Sequence, residues 1–328
     1  ANPFCFTDLV ILPVLQTCLK LSGKTEMNFF GGSEPNFSEP LHFVIFILST
    51  SWLYPPVCIS GTPDYEPIRG QPHGVRMDQD GNLIVVDSYL GLYKVNPKTG
   101  EKSLLLSSEQ GVDGLPFKFL NGLEVSRTKL IYFMDSSSKW GRRHHRYEVI
   151  ETNHLGRLLV YDPATRTGRT VLSGLYMANG IALSPDEDYI LIAETSICRI
   201  ICYRVSGTNA GKKEAFVDNL PGYADNIRLS NTSLHRAGIS TVHFPSFFSP
   251  FLDALGPYPF LKRFIVKVNL TLFFLQKYGL FLDINDKGDI VASFHDPGGS
   301  ITWAVSDVFE NHGKVYLGST ELPFLVLQ

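Results

Sequence analysis

Five polar residues recur at one phase of the chain. His73-Gly74, Asn121-Gly122, Asn179-Gly180 and Asp225-Asn226 each open an apolar, strand-like run, at intervals of roughly fifty residues. Amide and carboxylate oxygens are hard donors, and calcium takes six to eight of them. Asn121, Asn179, Asp225 and Asn226 are therefore candidate metal ligands for Ca2+. His73 holds the same phase one unit earlier. An imidazole among oxygens suits a proton acceptor beside the metal better than a calcium ligand, so His73 is the candidate base. A second reading stays open, because Asn-Gly is also the strongest short hairpin signal. Two features weigh against it. The third member carries Asp-Asn-Ile with no glycine, and the first and third units have their own turn a few residues later, "DQDGN" (78–82) and "SPDED" (184–188).

Other polar features carry less chemistry. "MDSSSKWGRRHHRYE" (134–148) reads as a solvated basic insertion, with His144 and His145 at the surface. His295-Asp296 in "SFHDPGGS" reads as turn chemistry. The five cysteines, Cys5, Cys18, Cys58, Cys198 and Cys202, show no zinc-ligand spacing. Cys198 and Cys202 fall in one expected strand and read as buried thiols. Sequons at Asn36, Asn231 and Asn269 permit a secretory location.

The elements that must position these residues are short strands. From Gly70 the chain repeats a unit of alternating strand, polar turn, second strand, Gly-centred turn, third strand and a link to a fourth. Copies run over 73–106, 121–173 and 179–217. A fourth starts at "DNIRLS" and degenerates, and a last one spans 278–327. A unit near fifty residues with four strands is a propeller blade, which buries both sheet faces only by stacking on neighbours around a channel. The fold class expected is all-β, a six-bladed β-propeller over residues 63–328 with its first blade divergent or missing. The first strand of each blade lines the channel, so the repeated polar residues should converge at one mouth.

Residues 1–62 form an irregular apolar N-terminal segment outside the repeat. Its run at 41–59 is at the low end of length for a spanning helix and lacks a basic flank, which makes it a weak membrane-anchor signal. The Phe-rich stretch 242–279 suits a lid, a membrane-touching patch or core, and its middle, "LKRFIVKV", fits helix and strand equally. With 328 residues, 44% hydrophobic and 19% charged, the chain is globular. A net charge of −3 argues against a nucleic-acid partner.

From about Gly70 onward the chain resembles the strictosidine synthase-like family of six-bladed propellers. The stretches that carry the resemblance include "VDSYLGLYKVNP", "YFMDSSSKW", "GRLLVYDPATRT", "ANGIALSPDEDYILIAET", "VDNLPGYADNIRLS", "FHDPGG" and "ENHGKVYLGS". The family is similar to paraoxonases and gluconolactonases, and the resemblance implies one calcium held in the channel by a Glu, two Asn and an Asp or Asn. Asn121 and Asn179 match the two Asn, and Asp225 and Asn226 match the last position. It also implies metal-assisted hydrolysis of small esters or lactones, in which the metal acts as Lewis acid. "QPHGVRMD" resembles the paraoxonase segment whose His assists a water nucleophile, which places His73 there. It further implies an ester or lactone substrate and a secretory or membrane-associated location in the endoplasmic reticulum or plasma membrane.

Three departures stand out. The family's Gly-Pro-Glu motif, source of the Glu ligand, has no counterpart in residues 1–69. Ser306 stands where strictosidine synthases carry the Glu of amine–aldehyde condensation, so that reaction is not expected. Arg69 replaces a family Cys, which removes a disulfide. The alternative function is a catalytically silent, membrane-associated propeller that binds a ligand or partner.

Overall fold

The computed structural model describes residues 66–243, 258–267, 277–311, 313–322 and 326–327. The expected N-terminal segment 1–62, its boundary and the run at 41–59 lie outside the described residues. A short helix α1 (Glu66–Arg69) leads into five antiparallel sheets. The first is β1 (Pro72–Met77), β2 (Leu83–Asp87), β3 (Gly91–Val95) and β4 (Lys102–Ser107). The second is β5 (Leu120–Val125), β6 (Ile131–Asp135), β7 (Gly156–Asp162) and β8 (Thr167–Leu175). The third is β9 (Ala178–Leu183), β10 (Tyr189–Glu194), β11 (Arg199–Arg204) and β12 (Lys213–Val217). The fourth is β13 (Gly222–Leu229), β14 (His235–Val242), β15 (Gly279–Ile284) and β16 (Ile290–Asp296). The fifth has three strands, β17 (Val305–Asn311), β18 (Lys314–Ser319) and β19 (Val326–Leu327).

The turns are set by short polar side chains. Asp78 Oδ1 accepts from the Asp80 and Asn82 amides, at 3.0 and 2.8 Å, and Gly81 supplies the left-handed residue (φ +76°) that closes the hairpin. Ser184 Oγ does the same for Asp188 and Tyr189.

Central strands are buried on both faces, as in LIVVD of β2 and GLFLDI of β15. Alternate residues therefore serve two interfaces. Ile84, Val86 and Leu92 of the first sheet pack with Leu120, Leu123 and Phe133 of the second. Met134 and Leu158 pack with Ile181, Ile190 and Ile192 of the third. Ala182, Leu191 and Ala193 pack with Ala224, Ile227 and Ala237 of the fourth, and Phe281 packs with Val305, Val308 and Leu317 of the fifth. At about 1.5–3 kcal/mol per buried large side chain, these face-to-face layers dominate the stability. The first strands β1, β5, β9, β13 and β17 touch in that order, which makes a propeller-like stack.

The structure redraws the last repeats. Residues 279–296, read from sequence as the start of a final copy, complete the fourth sheet, because β14 pairs with β15. The fourth copy is interrupted between those two strands rather than degenerate. The interruption carries helix α3 (Pro259–Lys267), which resolves the helix-or-strand ambiguity of that stretch. The basic insertion after β6 is likewise more than a loop: it forms a 3-10 turn at Arg142–His144 and helix α2 (His145–Glu151). Among the described residues, no helix is long and apolar enough to cross a membrane.

Candidate functional site

The repeated polar residues lie inside strands, not in hairpin turns. His73 is in β1, Asn121 in β5, Asn179 in β9, and Asp225 and Asn226 in β13. Each sits where the pairing of its strand skips. The ladder breaks between Pro72 and Gly74, between Leu120 and Leu123, opposite Ile192/Glu194, and between Ala224 and Ile227. Ser306 occupies the matching break of β17, between Val305 and Asp307. A bulge releases a residue from the ladder and re-aims its side chain, which is why bulges gather at functional sites.

The glycine of each pair has a steric task. A Cβ on Gly74 would lie 2.5 Å from the Asn121 carbonyl oxygen. On Gly122 it would lie 2.6 Å from that of Asn179, and on Gly180 2.3 Å from that of Asp225. The glycines therefore let consecutive inner strands approach backbone to backbone and bring the polar residues together.

A second repeated device fixes the side chains. In the first three sheets the residue after the second strand is a hydroxyl that donates to the carbonyl just ahead of the next polar residue. Ser88 Oγ donates to Leu120 at 2.8 Å, Ser136 Oγ to Ala178 at 2.5 Å and Thr195 Oγ1 to Ala224 at 2.6 Å. Just before it stands a buried acid that holds loop amides: Asp87 takes Tyr89 and Leu90, Asp135 takes Phe119, and Glu194 takes Tyr176. Sequence reasoning missed this layer, although its signal was visible as "VDS" (86–88), "MDS" (134–136) and "AET" (193–195).

The same hydroxyls orient the site. Ser88 spends its one proton on Leu120, so at the 2.8 Å contact with His73 it must accept, and His73 Nδ1 is the protonated nitrogen. Nε2 is then the free base. Burial first, then the charge of Arg142, pushes the His73 pKa down to about 3, so the ring is neutral at ordinary pH. Phe119 packs edge-on against it, with ring centroids 5.7 Å apart. Asn121 Nδ2 donates to Ser136 Oγ at 3.1 Å, which leaves its Oδ1 turned from that hydroxyl. Asn179 donates to the Asp225 carboxylate.

Asn121, Asn179 and Asp225 are buried. Asn179 Oδ1 is buried without a hydrogen-bond partner. Burial, and the negative charge of Asp307, push the Asp225 pKa up to about 7 against the pull of the Asn179 bond. An orphaned amide oxygen beside a carboxylate short of positive charge fits a hard cation. Asn226 is half-buried in the same bulge, with its Cα against Gly180. Among the described residues no group of three or more His, Cys, Asp or Glu could hold a metal, so an ion here would rest largely on amide oxygens beside Asp225.

The remaining candidates stand apart from it. His144 packs at a tilt against Trp140 and Tyr147, and His145 opens α2. His295 is exposed on β16, bonded to Tyr278 and Ser293, while Asp296 caps the Ile301 and Thr302 amides. Cys198 and Cys202 are both buried; Cys198 ends a 3-10 turn instead of lying in β11. Asn231 is exposed, and the sequons at Asn36 and Asn269 lie outside the described residues.

Fold and site thus define a propeller-like all-β protein with a bulge-borne layer of oxygen donors at its inner strands. The family model described as strictosidine synthase matches residues 121–208. The Rattus norvegicus protein named adipocyte plasma membrane-associated protein is 42% identical over 268 residues, 80% of this chain and 71% of that one. The Homo sapiens protein of that name is 43% identical over 268 residues, 80% of this chain and 64% of that one. The chain belongs to this strictosidine synthase-like family of adipocyte plasma membrane-associated proteins, and it spans about two thirds of these relatives' length. Among solved structures, it is similar to a gluconolactonase from Xanthomonas campestris (TM-score 0.53, 13% identity, 79% of this chain and 71% of that one). It is also similar to the calcium-binding protein regucalcin from Agrobacterium tumefaciens (TM-score 0.52, 13% identity, 77% and 69%). At such identities these two likenesses bear on the fold.

Proposed function

We propose that the chain is a calcium-dependent hydrolase of small esters or lactones, working at the inner-strand mouth of a six-bladed ring. The observation that carries this reading is the buried, unpartnered Asn179 Oδ1 beside Asp225, in register with Asn121 and His73. Asn121, Asn179 and Asp225, with Asn226 adjacent, would hold the ion. Bound calcium would supply Lewis-acid polarisation of the ester carbonyl. His73 Nε2, fixed by Ser88, takes a proton from the attacking water. Phe119 walls the ring from bulk solvent on one side. The names of the structural neighbours, a gluconolactonase and a calcium-binding protein, agree with this chemistry. The relatives' name agrees with a membrane-associated or secretory setting.

A second reading, a catalytically silent propeller that binds a ligand or partner, is favoured by the amide-rich donor set and by Ser306 at the fifth bulge. One experiment separates them: a thermal melt against calcium concentration, followed by phenyl acetate hydrolysis with and without chelator. The hydrolase reading expects a midpoint that rises with calcium, because a ligand bound only by the folded state stabilises it, and hydrolysis that the chelator abolishes. A calcium-dependent midpoint with chelator-insensitive background hydrolysis leaves the binding protein. A folded protein with no shift removes the metal site as well.

A further inference from the structure

Helix α3 leaves the fourth sheet between β14 and β15 and packs against α2. Helix α2 in turn packs against the 3-10 turn at Thr195–Ile197, whose first residue holds the carbonyl ahead of Asp225. Helix α3 therefore lies on the mouth side of the molecule.

Its outward side is unusual for a soluble surface. Tyr258 is 51% exposed, Phe260 66% and Phe264 60%. Phe260 and Phe264 are four apart and share a face, with Leu261 beside them. Lys267 is exposed and continues the same face, seven residues after Phe260, and Lys262 is half-exposed. Single exposed apolar residues are ordinary. Aromatic rings grouped on one helical face with cations along its border are the pattern of a helix that lies in a bilayer interface. The cations select the surface, since anionic headgroups attract Lys and Arg near the membrane and salt weakens that attraction.

We infer that α3 is a peripheral membrane contact that seats Phe260 and Phe264 in the interface of an anionic phospholipid surface. This turns the mouth toward the bilayer, so the site draws its substrates from lipid-soluble esters. The inference takes its substrate class from the hydrolase reading above, while the membrane contact itself stands apart from catalysis.

The test uses the full chain with phosphatidylcholine vesicles, with and without about 30% phosphatidylserine. Phe264→Trp adds an indole to the face. Its fluorescence should shift to the blue on anionic vesicles, be quenched by brominated acyl chains, and lose both effects at high salt. The pair Phe260→Glu and Phe264→Glu should weaken vesicle binding at least tenfold with an unchanged melting midpoint. Wild-type-like binding by that pair, or an introduced indole that the brominated chains do not quench, overturns the inference. So does a concentration-dependent dimer that the pair abolishes, because the face would then belong to a second copy. Phenyl acetate hydrolysis in vesicle-free solution reads the hydrolase proposal separately.

Discussion

A single proton decides what His73 can do. Ser88 has one to give and gives it to the Leu120 carbonyl, so His73 must donate from Nδ1 and keep Nε2 bare. In the next sheet Ser136 does the same for Asn121, and the orientation of two side chains follows from two fully buried serines. Asn179 breaks the pattern: it donates to Asp225 and leaves its carbonyl oxygen bare. Asn179→Ala should therefore abolish the calcium-dependent rise in melting midpoint. The calcium-free midpoint should fall modestly, because the buried Asp225 carboxylate loses its donor while the unsatisfied Oδ1 is removed with it. A calcium response retained in the variant would count against Asn179 as a ligand. The residue types and their spacing were legible in the sequence. The orientation was not, because it depends on hydroxyls 15 positions away in the chain.

At the scale of the element, the Asn-Gly pairs mean something other than their local signal. Asn-Gly commonly makes a hairpin turn, but here glycine admits the neighbouring strand and the bulge presents the Asn. Gly122→Ala forces a methyl group to within 2.6 Å of the Asn179 carbonyl, and backbone cannot yield as a flexible side chain can. A cost of about 1–3 kcal/mol in chemical denaturation is expected, as for other over-packed sites. Gly298→Ala, where a Cβ would meet nothing within 4 Å, should be neutral. Equal effects from the two would remove the steric account. Strand positions and turns followed from alternation and from short polar residues. The split of the fourth sheet did not, since 36 residues lie between β14 and β15 and only their pairing shows that they are neighbours.

For the whole molecule, the first sheet carries a cluster of Val75, Leu83, Val85 and Val95 on the face away from the second sheet. None of the other four sheets contributes to it, yet Leu83 is 1% exposed. A further layer packed on this face would account for its burial. Leu83→Ala should then cost about 2–5 kcal/mol, as Leu123→Ala at the first–second interface should. A cost below about 1 kcal/mol at Leu83 alone would mean that the face is open.

Global stability also has an acid limb. His235 is buried against Phe216 with Nδ1 unpartnered, and burial pushes its pKa down to about 4. The folded state resists a proton that the unfolded chain accepts below about pH 6.5. Stability should thus fall from about pH 6.5 to about pH 4, by up to about 3 kcal/mol, and be unaffected by this residue above that range. His235→Leu should flatten that part of the profile, and a profile unchanged by it would show that His235 does not set the limb.

The sequence by itself determined the fold class, the phase of the polar residues and the family, because alternation, turn chemistry and repeat length are local properties written in neighbouring residues. Only the tertiary structure decided that those residues share one layer, that glycines and hydroxyls hold them there, and that Asn179 keeps a bare oxygen beside Asp225. Those facts arise where strands some fifty residues apart meet, and no local pattern encodes which atoms will be left without a partner once they do.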